Sequence, residues 1–162
     1  MIDWLACALV RAVGWLMCRL PPSLCVGIGQ TLGGAAALVQ PKRVRVGLGN
    51  LKAAFGDRYS PAEYRRIVHR IFKNLGAGFV EMLRLPAIDA AYIDRYVEIV
   101  DQFHLEDAVA SGRPVVFLTA HFGNWELCSV IAAFIGHPIV ALARAQDKFP
   151  RLYRLLVSYR ES

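Results

Sequence analysis

A histidine and a carboxylate five residues apart, in His121-Phe122-Gly123-Asn124-Trp125-Glu126, are the groups in this sequence best placed to do chemistry. Imidazole is the side chain whose ordinary pKa lets it take and return a proton near neutrality. A carboxylate accepting from Nδ1 would fix the tautomer, leave Nε2 free as a general base and stabilise the imidazolium that forms. Taken singly, each residue also has a structural use: a histidine in a core, a glutamate complementing a helix dipole, Trp125 as packing. What raises the pair above these is its setting. Residues 115–120 are a compact apolar run readable as a buried strand, and residues 125–135 read as a helix. The pair therefore falls at a strand-to-helix joint, the carboxyl end of a strand, where open α/β sheets bind ligands. Gly123 permits the sharp turn, and Asn124 reads as the helix cap.

The elements that must position this joint can be read outward from it. Residues 96–100 read as a strand, residues 105–110 as a short helix stopped by Gly112 and Pro114, and residues 139–143, after a turn at 136–138, as a second buried strand. Strand, helix, strand implies a right-handed parallel crossover. Upstream, Ser60, Pro61 and Glu63 spell a helix start with a capping hydroxyl, a proline at the first helical position and a carboxylate at the third. Tyr64, Ile67, Val68, Ile71, Phe72, Leu75, Phe79 and Met82 then recur at three and four, giving an amphipathic helix to about Arg84 with Arg65, Arg66, Arg70 and Lys73 opposite.

The first forty residues are strongly apolar. Asp3, Arg11 and Arg19 recur every eight residues and so stay on one side of a helix, as in an amphipathic helix lying in a membrane interface. Residues 22–40 form a second apolar stretch, about 28 Å long as a helix and so long enough to span marginally. Its glycines, Gly27, Gly29, Gly33 and Gly34, permit close packing against another helix. Both stretches also fit the core helices of a peripheral protein. The fold class expected is α/β: N-terminal membrane-associated helices (1–40), a basic helical segment (41–95), and the first part of a mainly parallel sheet with flanking helices (96–162).

Composition agrees with a membrane as the sink for apolar surface: 56% of residues are hydrophobic and the mean hydropathy is +0.37. Residues 41–75 hold nine Lys or Arg against Asp57 and Glu63. Such a block suits anionic lipid headgroups, although a solvated basic face would look the same. Nucleic acid is not expected as a partner, since no zinc-finger spacing, RNA-binding aromatic signature or basic zipper accompanies the charge. Cys7, Cys18, Cys25 and Cys128 form no CxxC pair and read as small hydrophobes rather than a disulfide frame. No metal is expected, because one histidine and one carboxylate lack a third ligand at any suggestive spacing.

The hexapeptide resembles the HX4D/E block of glycerolipid-type acyltransferases, and in full it is similar to that of the bacterial lipid A biosynthesis acyltransferases (lauroyl/myristoyl transferases). Asn50-Leu51 with Ala54-Phe55, Asn74-Leu75-Gly76, Glu81, Thr119-Ala120-His121, Arg144 and Tyr159-Arg160 follow in the order of that family. The resemblance implies a glycerolipid-acyltransferase-like fold and transfer of a fatty acyl group to a hydroxyl of a lipid A precursor or related glycolipid. The co-substrate would be an acyl-carrier-protein or coenzyme A thioester, with no cofactor, and the site would lie on the cytoplasmic face of the bacterial inner membrane. His121 and Glu126 would then be catalytic. Asn124, whose helix start offers amides to the oxyanion, and the phosphate-binding Arg144 and Arg160 would contact substrate. The family runs to about twice this length, so a truncated and inactive chain is expected.

Other readings remain. A phospholipid or lysophospholipid acyltransferase would use the same pair. A lipid-ester hydrolase would use His121 to activate water, without the G-x-S-x-G elbow of a serine enzyme. An inert membrane-binding module would keep the pair only as a structural hydrogen bond.

Overall fold

A computed structural model describes residues 2–120, 122–140 and 150–160, with residues 2 and 160 given as backbone only. The elements are α1 (Ile2–Arg19), α2 (Pro22–Val39), α3 (Pro41–Phe55), α4 (Pro61–Leu83), a 3-10 turn (Leu85–Ala87), α5 (Ala90–Tyr96), α6 (Phe103–Ala110), α7 (Trp125–Phe134) and α8 (Pro150–Arg160).

α4 is the spine, and its start is built as its sequence dictates. Ser60 Oγ accepts from the Glu63 amide at 3.3 Å, while the Ser60 amide and hydroxyl donate to the Glu63 carboxylate at 2.8 and 2.7 Å. These bonds hold the Glu63 carboxyl below the usual glutamate range. The buried Tyr64 donates its hydroxyl to Gly56 O at 2.8 Å, which clamps the α3–α4 turn.

α2 lies along α4 at unusually short range because glycines meet there. A Cβ on Gly29 would sit 2.6 Å from Gly76 O and 2.7 Å from Ala77 Cα, and one on Gly33 would collide with Phe72 O. One on Gly76 would collide with Gly29 O in turn. Small residues spaced four apart thus let two backbones touch, as anticipated for this stretch. Gly27 has open space where its Cβ would be.

Beside this contact, Met17, Cys25 and Val80 form a small core, with Val13, Leu20 and Ile28 packed on it. Arg84 is buried at its edge and donates through Nη1 to Met17 O, to Leu20 O at 2.6 Å and to Cys25 Sγ at 3.3 Å. The last carbonyls of a helix have no intrahelical donor, and the helix end is partially negative. Arg84 answers both needs for α1. All four cysteines are free.

The chain's far end returns to its beginning. The Asp3 carboxylate accepts from the Arg151 and Leu152 amides at 3.0 and 3.2 Å, capping α8 from α1.

The expected parallel sheet is overturned. Among the described residues every regular element is a helix. Residues 96–100 give the last residue of α5 and then irregular chain. Residues 115–120 are irregular, with Val116 90% and Leu118 99% exposed, and residues 139–140 are irregular too. The rest of that last run, 141–143, lies outside the described residues. Strand N–H and C=O groups need a neighbouring strand, and none of the described residues in these runs lies against one. A short apolar run has no periodicity of its own with which to demand a strand. The helices were read more closely: the stretches expected at 60–84, 105–110 and 125–135 are α4, α6 and α7.

Candidate functional site

The site builds from the start of α7. Gly123 adopts a positive φ of +64°, which only glycine takes without strain, and so turns the chain into the helix. Asn124 stands at the N-cap position, but its side chain makes no capping bond. Its amide Nδ2 instead donates to Glu81 Oε2 at 3.0 Å, and at a longer 3.5 Å to Gly78 O. α7 is thereby tied by its first residue to α4, 43 residues earlier in the chain. The Asn124 side chain packs beside Gly78, where a Cβ would meet it at an ordinary 3.7 Å.

Between the two helices lies a cleft of about 70 Å³. Leu75, Phe79 and Met82 of α4 form one wall; Gly123, Asn124, Trp125 and Glu126 form the other. Glu126, in the first turn of α7, is half-buried there. The apolar stripe of α4 is thus divided: Tyr64, Val68, Ala77 and Val80 are buried, whereas Leu75 and Phe79 stay partly open along the cleft. The arrangement sets a carboxylate and a carboxamide beside an apolar wall. Burial, reinforced by the negative charge of Glu81, pushes the Tyr92 hydroxyl nearby above its ordinary value.

Of the residues singled out from sequence, Asn124 and Glu126 come together on this cleft. His121 and Arg144 lie outside the described residues. Arg160 is the last residue of α8, where its side chain is not described. Two residues escaped the sequence reading. Glu81 was noted only within a resemblance, because a partner 43 positions away leaves no local spacing to read. Arg84 marked only the end of a helical stripe, because an arginine's burial depends on which helix end arrives beside it.

Residues 1–162, the whole chain, match the family described as bacterial lipid A biosynthesis acyltransferase. The chain belongs to that family. Two curated proteins are similar to it: a phosphatidylinositol mannoside acyltransferase of Mycolicibacterium smegmatis (31% identity, covering 93% of this chain and 49% of the relative), and a lipid A biosynthesis lauroyltransferase of Escherichia coli (27% identity, covering 70% of this chain and 37% of the relative). The chain spans about half the length or less of these relatives. No solved structure matches it significantly.

Proposed function

We propose that this chain serves transfer of a fatty acyl group from an acyl-carrier-protein or coenzyme A thioester to a hydroxyl of a glycolipid. His121 Nε2 takes the hydroxyl proton as the oxygen attacks the thioester carbonyl. The oxyanion of the tetrahedral intermediate is met by amides at the start of α7. As it collapses, the carbon–sulfur bond breaks and the leaving thiolate takes the proton back from the imidazolium, giving an ester and a free thiol. Glu126 holds the ring's other nitrogen, and Arg144 and Arg160 bind acceptor phosphate through their planar donor forks.

The observation that carries this reading is that Asn124 and Glu126 of the hexapeptide open onto one apolar-walled cleft, in a chain matched by the family throughout. The two relatives' names point to glycolipid acceptors, one built on phosphatidylinositol mannoside and the other on lipid A.

The membrane reading rests on exposed apolar side chains of α1, among them Trp4, Leu9 and Trp15, and on the basic block of α3 and α4. α2 is long and apolar enough to cross a bilayer. Its partner argues for a place at the surface instead. Gly33 and Gly34 rest on Lys73 and His69 of α4, and crossing would carry that charged helix into hydrocarbon.

The test is thiol release from an acyl thioester by this chain within a protein of its relatives' full length, with and without phosphatidylinositol mannoside or a lipid A precursor. Acceptor-dependent release with formation of the acylated glycolipid is expected. Equal release without acceptor would identify a hydrolase and overturn the proposal.

A further inference from the structure

A second concavity lies well apart in sequence from the cleft, between α1 and α8. It encloses about 500 Å³, within the range of small-molecule sites. Three arginines line it, Arg11 from α1 and Arg151 and Arg154 from α8, one turn apart on the latter. Trp4, Ala8 and Leu155 supply apolar surface alongside.

Among the described residues no ion pair offsets this charge, the one ion pair being Lys52 with Asp57, on a distant turn. Asp3, the acid nearest in sequence to this end of α1, already accepts from the Arg151 and Leu152 amides. Arg154 donates Nε to Pro150 O at 3.3 Å, a contact within its own helix. Three like charges drawn to one groove repel one another unless an anion joins them, and the planar fork of arginine matches phosphate oxygens best. The exposed indole of Trp4 at the rim gives the amphipathic surface that the headgroup level of a membrane favours.

We infer that the groove between α1 and α8 binds the phosphorylated headgroup of an anionic lipid, with the phosphate held by Arg11, Arg151 and Arg154 and the glycerol end against Trp4 and Leu155. This site is separate from the acyl-transfer cleft and does not depend on the chemistry proposed there.

Calorimetric titration of the full chain with monomeric dihexanoylphosphatidylglycerol tests it, beside dihexanoylphosphatidylcholine, inorganic phosphate and tetraglutamate. Phosphatidylglycerol should bind best. Each Arg→Gln change in the groove should weaken it roughly fivefold. R11Q/R151Q/R154Q should weaken it at least tenfold, while the charge-matched R19Q/R95Q/R113Q, outside the groove, stays within twofold. Circular dichroism checks folding, and if the triple variant unfolds, the exposed R154Q alone reads the effect. Equal losses in both triple variants would mean diffuse charge and overturn the site. Equal binding of inorganic phosphate would overturn the lipid assignment, and equal binding of tetraglutamate would point to an acidic protein partner instead.

Discussion

Residues 22–39 and residues 115–120 are both apolar and both follow proline, yet one is α2, seated on α4, and the other is irregular chain with Val116 and Leu118 almost wholly exposed. The difference is one of what each needs from elsewhere. A helix satisfies its backbone internally, so α2 requires only a face that fits, and Gly29 and Gly33 provide one for Gly76. A strand satisfies nothing alone, and residues 115–120 have no strand beside them.

The comparison can be broken most severely at the glycine contact. Gly76→Leu drives a side chain into the α2 backbone, and a loss of more than about 3 kcal/mol is expected in urea unfolding followed by circular dichroism. Arg84→Met comes next, orphaning carbonyls at the end of α1, and should cost about 2–3 kcal/mol by the same measurement. Ser60→Ala removes the α4 cap, for about 1 kcal/mol.

That cap also carries a pH signature. Because the folded protein lowers the Glu63 pKa, its contribution is present above the unfolded glutamate value and is lost as pH falls through the folded one. Stability should therefore decline more steeply on acidification in the parent chain than in Glu63→Gln. Parallel curves would remove the carboxylate from the cap. The smallest effect belongs to the other side of the comparison: Leu118→Ser should change stability by less than about 0.5 kcal/mol. A large loss would mean that residues 115–120 are packed after all.

The sequence was legible where structure is local. Ser60, Pro61 and Glu63 announced α4 to within a residue, and the glycines of α2 announced a close neighbour without naming it. The strands were misread because apolarity in residues 96–100 and 115–120 states a wish for burial and not a geometry. At the candidate site, Glu126 was singled out by its spacing to His121 and Asn124 as a helix cap, and both line the cleft. The bond from Asn124 to Glu81 was invisible, since it depends on α7 docking against a helix 43 residues earlier. The capping role expected for the Asn124 side chain went to that bond instead.

Acyl transfer through a histidine base is tested most directly by His121→Ala, assayed for thioester-dependent acylation of a glycolipid by this chain within a protein of its relatives' full length. The account predicts a fall of two to four orders of magnitude, roughly what a positioned general base contributes, with helix content unchanged. Acylation at the parent rate in the variant would contradict it.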